Sequence, residues 1–243
     1  LVSYSIFNII KKETAFDISK ANFFAGHSLG EYSALACAGV INFKETIKLL
    51  KIRGKAMQNA VPKKKGGMVA VLGLEIKKIE EIIENSKSEY SCFLANDNSN
   101  GQVVVSGKIE DIEKFIDELK KSNIKNIKLP VSAPFHCPLM RPATKIMYKE
   151  LSETKFNAPH NMIVSNVTAE PSNDPENIRN LLIEQIEKPV RWRESIINMI
   201  KQGNKRFIEI GPGKVLSGLV KRIDRNVELI QVNNIGDLKN LGN

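Results

Sequence analysis

Residues 23–39, FFAGHSLGEYSALACAG, are the stretch that decides the fold of this chain. They contain the pattern Gly-x-Ser-x-Gly at residues 26–30, preceded by an apolar pair and followed by an alanine-rich run with helical spacing. The pattern alone also arises by chance, but a strand, a tight turn and a helix in this order form the context that presents a nucleophilic serine. A helix beginning near Leu29 would direct free backbone N–H groups at the same place. The stretch therefore predicts that Ser28 is a nucleophile beside an anion-binding site.

The composition is that of an ordinary globular protein of 243 residues, enough for one large domain with or without a smaller insert. No apolar run approaches the length of a membrane span, and no signal-peptide pattern opens the sequence. We therefore expect a soluble, cytoplasmic protein. Three cysteines, Cys37, Cys92 and Cys137, form no C-x-x-C pair, which argues against a disulfide framework and a structural zinc site. We expect reduced thiols and no metal.

The formal net charge of +9 has two interpretations. Lysine, isoleucine and asparagine are all abundant, so biased codon usage explains part of the charge. The functional interpretation is attraction to an acidic partner or to polyanions. Nucleic acid is the poorer candidate, because the basic residues follow helices instead of alternating with aromatic residues.

After the serine, capping signals predict two helices. The first runs through Ala38 and ends at Gly39, and the second is capped by Asn42 and reaches about Ala60. Near the end of the chain, RFIEIG leads into residues 211–213, Gly-Pro-Gly, which could hold a phosphate or form a tight turn before a helix. We favour the turn.

Residues 67–131 show the order β-α-β-β-α-β, which is ferredoxin-like. Such a unit could bind RNA by itself, but its strands lack the paired exposed aromatic side chains that stack on bases. Helices and strands resume on either side of it. We therefore interpret it as an insert in a larger α/β domain formed by residues 1–66 and 132–243.

A serine nucleophile needs a base within hydrogen-bond reach, and the chain has three histidines. His27 adjoins the serine at a sharp turn, where neighbouring side chains diverge, so we expect it to be packed. His160 lies in a polar loop and is expected at the surface. His136 lies in LPVSAPFHCPLM, after a predicted strand and between two prolines that stiffen the loop. We therefore favour His136 as the base over a purely structural histidine.

Arg53 is an anomaly in the second predicted helix. At about 100° per residue the lysines of this helix fall in one narrow arc, and Arg53 lies on the opposite, apolar face. A guanidinium in that position must find a carboxylate. The carboxylate could belong to Glu31, in a buried ion pair, or to a substrate held through two hydrogen bonds.

Six motifs in this order resemble the malonyl-CoA:acyl carrier protein transacylases of bacterial-type fatty acid synthesis. They are GHSLGEYSALACAGVI, RGKAMQ, NDNSNGQVVVSG, LPVSAPFHCPLM, EKPVRW and IGPGKVLSGLVKRI. The similarity extends over essentially the whole chain, and six ordered motifs are far more specific than one Gly-x-Ser-x-Gly. The resemblance implies an α/β fold with an α/β-hydrolase-like large domain and an inserted ferredoxin-like subdomain.

The resemblance also implies roles for individual residues. Ser28 would be the acylated nucleophile, His136 its base and Arg53 the group that grips the free malonyl carboxylate. In this family a main-chain carbonyl orients the histidine, and the matching position is Gln185. The asparagine that usually precedes the neighbouring proline is Lys188 here.

Further positions match the family near the substrate. Phe135 would restrict room at the α-carbon and disfavour methylmalonyl-CoA. Asn96 and Asn98 match positions near the bound coenzyme, although a turn role explains them equally well. The backbone N–H of Leu29 would form half of the oxyanion hole. The other half comes from a glutamine in an N-terminal Gly-Gln-Gly segment that this sequence lacks, so we expect the chain to be a fragment without the first strand of its large domain.

The implied reaction is ping-pong transfer of malonyl from malonyl-CoA to the phosphopantetheine thiol of acyl carrier protein, through a malonyl-serine ester and without a cofactor. Acyl carrier proteins are acidic, which would give the positive charge a use in docking. We expect a monomer, with no nucleic-acid or membrane partner.

Two other functions stay open from the sequence. A serine esterase or thioesterase of the α/β-hydrolase type would need the order Ser, Asp, His with a histidine near the C-terminus, and none follows His160. A catalytically silent carrier-protein-binding module would keep the fold without the reaction.

Overall fold

A computed structural model describes residues 1–242 as a mixed α/β protein. The helices are α1 (Val2–Glu13), α2 (Leu29–Cys37), α3 (Phe43–Asn59), α4 (Ile76–Asn85), α5 (Ile109–Lys121), α6 (Arg141–Glu153), α7 (Pro175–Glu184), α8 (Trp192–Lys201) and α9 (Val215–Ile223). The strands are β1 (Phe23–Phe24), β2 (Gly66–Leu72), β3 (Cys92–Ser99), β4 (Gln102–Lys108), β5 (Asn126–Lys128), β6 (Met162–Val164), β7 (Pro171–Ser172), β8 (Arg206–Ile210) and β9 (Glu228–Val232).

Two short parallel strands place the serine turn. β1 pairs in parallel with β6, and β6 pairs antiparallel with β7. Because parallel neighbours end at the same edge of a sheet, the residues that follow β1 and β6 meet there. The chain leaves β1 through the turn at Ser28 into α2, as predicted, and leaves β6 through Ser165 and Asn166.

Both predicted helices after the serine are observed with their caps. α2 is followed by Gly39 at φ +77°, and the Asn42 side chain accepts the N–H of Glu45 at the start of α3. On α3 the lysines are exposed while Arg53 is buried with only 6% of its surface accessible, which confirms the opposed faces. α3 packs on α2 and α6, and α6 packs on α7, around a core that includes Leu35, Met57 and Met147.

Residues 66–128 form a separate antiparallel sheet in the strand order β3-β4-β2-β5. The period-2 alternation along β2 gives this sheet two apolar faces. Val69 and Val71 pack with Phe115 of α5 on one face, while Met68 and Ala70 face the opposite way and lie near Phe135. The second face of the sheet therefore supports the loop that carries Phe135 and the following histidine.

Hydrogen bonds and an ion pair join β3 to residues 190–193, which lie outside the inserted sheet. The N–H of Asp97 donates to the carbonyl of Val190, and the N–H of Val190 donates to the carbonyl of Ala95, both at 2.9 Å. The buried carboxylate of Asp97 also accepts from Arg193 of α8. These bonds fix the inserted sheet against the start of α8.

Two interpretations of loops and turns are settled by the backbone. Asn96 and Asn98 lie within β3, and the turn begins only at Asn100, so the turn role considered for them is wrong. The Gly-Pro-Gly stretch forms the favoured turn, because the carboxylate of Glu209 accepts the N–H groups of Leu216 and Ser217 at the start of α9. A phosphate would have to displace that carboxylate.

The three cysteines are free thiols, as predicted. Throughout the part of the chain that the structure describes, no helix is both long enough and apolar enough to cross a membrane.

Candidate active site

The serine turn is strained, and close packing holds it. Ser28 has φ +53° and ψ −109°, a conformation that residues other than glycine rarely adopt. Gly26 is required by sterics, since a Cβ there would lie 2.0 Å from the carbonyl oxygen of Gly30. Gly30 itself faces open space, which leaves room in front of the turn. The hydroxyl of Ser28 is consequently presented at the N-terminus of α2.

Asn166 braces this turn from both sides. Its Oδ1 accepts the backbone N–H of Ser28 at 2.7 Å, and its Nδ2 donates to the carbonyl of Gly26 at 2.8 Å. Asn166 is fully buried. Because the N–H of Ser28 is already bonded, it is not available to an oxyanion.

The backbone N–H of Leu29 is the free donor at this position. Leu29 is the first residue of α2, where N–H groups have no partner within the helix, and its N–H donates to none of the residues 1–242. The helix dipole adds partial positive charge at the same point. This N–H can therefore stabilise an anion next to Ser28.

His136 lies against the serine, as the sequence predicts. Its Nε2 is 2.8 Å from Oγ of Ser28, and its Nδ1 is 2.8 Å from the main-chain oxygen of Gln185. Gln185 caps the end of α7, where carbonyl groups lack a partner within the helix. Since a carbonyl oxygen only accepts, Nδ1 carries the proton and Nε2 is left to accept the serine hydroxyl. The imidazole is thus held in the tautomer that a general base needs.

Burial keeps this imidazole neutral. His136 has φ +58° and is buried, and burial lowers its pKa to about 3, with the positive charge of Arg53 as the next cause. The side chain is therefore unprotonated at neutral pH and able to accept a proton.

Arg53 contacts the hydroxyl of Ser28 directly. Its Nη2 donates to Oγ of Ser28 and to Oε1 of Gln185, both at 3.0 Å, and its Cζ lies 5.6 Å from the centre of the Tyr32 ring. Within residues 1–242 no carboxylate oxygen comes within 4.0 Å of an Arg53 nitrogen, and its Nε has no hydrogen-bond partner. The ion pair with Glu31 that the sequence left open is therefore not formed.

The Glu31 carboxylate is engaged elsewhere. It is buried and accepts from Nε2 of Gln185 at 2.8 Å and from the backbone N–H of Asn166 at 3.2 Å. Burial raises its pKa to about 7, so it carries only part of a negative charge at neutral pH. Nε2 of Gln185 also donates to the carbonyl of Ser28 at 3.0 Å, which links the carboxylate to the serine turn.

The structure also gives the positions of the other two histidines and of the remaining residues predicted near the site. Nε2 of His27 is 2.8 Å from Oδ1 of Asn98, so this histidine is packed against β3 and does not bond the serine. Asn96 is buried in β3 opposite Val190. Phe135 is half-buried between the two units. His160 is exposed, as expected.

Three parts of the site were missed by sequence reasoning. They are the brace by Asn166, the Glu31 carboxylate that Asn166 contacts, and the side-chain amide of Gln185. All three depend on contacts between distant segments. The only available signal was the polar pair Ser165-Asn166 directly after an apolar strand, since such residues gather at the carboxyl edge of a parallel sheet.

Comparison with known proteins shows the family to which this chain belongs. The family model described as "Acyl transferase domain" matches residues 19–240. The malonyl CoA-acyl carrier protein transacylase of Salmonella typhimurium (strain LT2) is 45% identical over 200 residues, which is 82% of this chain. The chain spans 65% of that relative's own length.

Two solved structures are similar over nearly the whole chain. The acyl-carrier-protein-S-malonyltransferase from Bartonella henselae has a TM-score of 0.95 and 39% identity, covering 100% of this chain and 79% of that one. A malonyl-transacylase in complex with its type II PKS acyl-carrier protein has a TM-score of 0.93 and 38% identity, covering 98% of this chain and 77% of that one. The chain belongs to the acyl transferase domain family, among the malonyl CoA-acyl carrier protein transacylases.

Proposed function

We propose that the protein transfers a malonyl group from malonyl-CoA to the phosphopantetheine thiol of acyl carrier protein, through a malonyl ester of Ser28. The observation that carries the proposal is the buried guanidinium of Arg53, which touches the nucleophile and has no carboxylate partner within the described residues. A buried cation without a counter-charge is costly. An acyl group that ends in a carboxylate supplies the missing charge at the right place.

In the first half-reaction, the base and the nucleophile act together. His136 takes the hydroxyl proton through Nε2 while Oγ of Ser28 attacks the thioester carbonyl. The N–H of Leu29 stabilises the oxyanion that forms. The carbon–sulfur bond then breaks, and the proton on His136 passes to the sulfur of coenzyme A.

In the second half-reaction, His136 and Ser28 exchange protons in the opposite direction. The thiol of phosphopantetheine gives its proton to His136 and attacks the ester carbonyl of malonyl-Ser28. The ester bond breaks, and the proton returns to Oγ of Ser28. Gln185 holds the imidazole through its main-chain oxygen in both halves, and no cofactor enters either step.

The fold supports the assignment of the chain to two domains. We assign residues 1–66 and 132–243 to an α/β-hydrolase-like domain that carries Ser28 and His136, and residues 67–131 to a ferredoxin-like subdomain. The strand order β3-β4-β2-β5 with two covering helices supports the second assignment. Asn96 and Asn98 of this subdomain are proposed to border the coenzyme, and Phe135 to limit room at the α-carbon of the acyl group.

The partner that this proposal requires is an acidic carrier protein. The net charge of +9 supports electrostatic attraction to it. The similarity to a malonyl-transacylase solved with its acyl-carrier protein supports the same class of partner. We further propose that the protein acts as a cytoplasmic monomer.

Intact-mass spectrometry of the full-length protein mixed with malonyl-CoA tests the function. We expect a malonyl adduct that maps to Ser28, is lost in Ser28→Ala, persists in the matched control Ser33→Ala, and is discharged by holo acyl carrier protein. Free malonate without an adduct would indicate a hydrolase. No reaction at all would indicate a silent binding module, and either result would contradict the proposal.

A further inference from the structure

Two side chains, Arg53 and His136, converge on the hydroxyl oxygen of Ser28. Oγ of Ser28 accepts a hydrogen bond from Nη2 of Arg53 at 3.0 Å and faces Nε2 of His136 at 2.8 Å. The two nitrogens are therefore at most about 6 Å apart, and both side chains are buried. At this distance and burial, the charge of one group strongly affects the protonation of the other.

This arrangement works against the base. His136 becomes an imidazolium when it takes the serine proton, and the neighbouring Arg53 is already positive. Burial opposes the same protonation: the pKa of His136 is lowered to about 3, first by burial and second by the charge of Arg53. A base of such low proton affinity is a weak catalyst at neutral pH.

Among residues 1–242, the other titratable groups that face the site do not remove the conflict. On α2, Glu31 attracts Arg53 electrostatically but is hydrogen-bonded to Gln185 and Asn166, and burial raises its pKa to about 7, so its partly protonated carboxyl offsets the Arg53 charge only in part. Tyr32, also on α2, is neutral because burial raises its pKa. His27, before the turn, is neutral because burial lowers its pKa. At the C-terminal end of α7 the facing side chain is the uncharged amide of Gln185.

We propose that the carboxylate of the acyl group completes the catalytic base: by neutralising Arg53 it allows His136 to hold the proton of Ser28. This inference rests on the proposed function and extends it. The substrate carboxylate then acts in the chemical step as well as in binding. An acetyl group, which lacks the carboxylate, leaves Arg53 charged and the base weak. Part of the preference for malonyl therefore appears in the rate of acylation at saturation.

The proton balance of the step is unchanged by this coupling. The Oγ–H bond of Ser28 breaks and an N–H bond forms at Nε2 of His136, while Oγ bonds to the thioester carbon. The carbon–sulfur bond breaks, and the sulfur leaves with the proton from Nε2. The malonyl carboxylate and Arg53 form an ion pair and exchange no proton.

The first test measures the proton affinity of His136 by NMR titration of the ring nitrogens, with the signal assigned by its loss in His136→Ala. In the free enzyme we expect Arg53→Met to raise this affinity by about tenfold or more, the effect of removing a cation at this distance. The matched control Lys51→Met removes a cation from the exposed face of the same helix and should leave the affinity unchanged. Equal affinities in wild type and Arg53→Met would overturn the inference.

The second test compares two acyl-enzymes of the wild type. We expect His136 to bind its proton about tenfold more tightly in malonyl-Ser28 than in acetyl-Ser28, because only the malonyl group neutralises Arg53. Values within about twofold would overturn the inference while the malonyl adduct itself leaves the proposed function intact. Failure to form any malonyl adduct would remove the proposed function and this inference together.

A kinetic measurement separates the coupling from simple binding. In rapid-quench single turnovers at saturating acetyl-CoA, we expect Arg53→Met to raise the acylation rate by about threefold or more, since the base is stronger. Saturating malonyl-CoA should react more slowly with this variant than with wild type. Lys51→Met should match wild type with both thioesters. An acetyl rate that is unchanged or lower in Arg53→Met would mean that Arg53 acts only as a clamp.

Discussion

Ser28 and Asn166 are 138 positions apart in the sequence, yet the carboxamide of Asn166 accepts the N–H of Ser28 at 2.7 Å. The contact follows from the parallel pairing of β1 with β6, which brings both following residues to one edge of the sheet. The same carboxamide donates to Gly26, so one side chain spans the strained turn. Asn166 therefore holds the backbone of the Ser28 turn in place.

We predict that Asn166→Ala lowers the rate of Ser28 acylation by about tenfold to a hundredfold with little change in KM. The reason is that Asn166 is fully buried and bonds both sides of the turn, and a buried N–H left without its acceptor costs about 1–3 kcal/mol. Single-turnover acylation measures the effect, with the exposed Asn180→Ala as the matched control. A change confined to KM would contradict the positioning role.

Replacing the base tests the pairing with Ser28. We expect His136→Ala to lower the acylation rate by a factor on the order of 10² to 10⁴, the usual contribution of a positioned base. His160→Ala, which removes an exposed histidine, should leave the rate unchanged. A loss below about tenfold in His136→Ala, with an unaltered thermal melt, would return this histidine to a structural role.

Much of the site was predictable because local patterns determine it. The order of strand, turn and helix identified Ser28, and the opposed faces of α3 singled out Arg53. The loop stiffened by two prolines pointed to His136. Each of these signals lies within one segment, where helical period and turn chemistry act on neighbouring residues.

The remainder depends on pairing between segments. β1 and β6 have only two and three residues, too few for a periodic signal, so the pairing of β1 with β6 was not predictable and the polar pair Ser165-Asn166 was the one signal for the brace. The role of the Gln185 carbonyl came from family resemblance, since any helix end offers free carbonyls. The turn suggested for Asn98 was wrong because β3 tolerates register irregularities and continues to Ser99.

The side chain before the base offers a test of specificity. Phe135 is half-buried against the inserted sheet, beside His136. We predict that Phe135→Ala raises kcat/KM for methylmalonyl-CoA relative to malonyl-CoA by about tenfold, because removing the ring frees space for a methyl group. This is the size of effect that one methyl group has in a hydrophobic pocket. Tyr148→Ala, which removes an exposed ring from α6, should not change the ratio. An unchanged ratio in Phe135→Ala would place the α-carbon elsewhere.

Glu31 makes stability depend on pH in a direction opposite to that of a paired carboxylate. Its pKa is raised from 4.5 to about 7 by burial, so the folded state binds more protons than the unfolded state between these values. The free energy of unfolding should therefore fall as pH rises from about 4.5 to 7, by up to about 3 kcal/mol from this group. His136 has a lowered pKa, so its contribution to the free energy of unfolding rises with pH below its ordinary pKa of 6.5.

Glu31→Gln isolates the contribution, because His136 is present in both proteins and cancels. Denaturant unfolding across this pH range should show the variant gaining stability relative to wild type as pH rises. Glu153→Gln, at an exposed position of α6, should run parallel to wild type. A difference between Glu31→Gln and wild type that is independent of pH would mean that the carboxyl ionises normally in the folded state.

The ion pair between β3 and α8 predicts an asymmetric response to mutation. Asp97 has 2% of its side chain exposed and Arg193 has 23%, with Nη2 of Arg193 2.9 Å from Oδ2 of Asp97. Arg193→Met would leave a buried carboxylate without its partner, a loss on the order of 3–5 kcal/mol. Asp97→Ala leaves a guanidinium that can reach water, so its cost should be smaller.

The double variant should be more stable than Arg193→Met alone, because it contains no unpaired buried charge. Denaturant unfolding of the three variants measures these differences. If Arg193→Met were no less stable than Asp97→Ala, the carboxylate would have another partner or access to solvent.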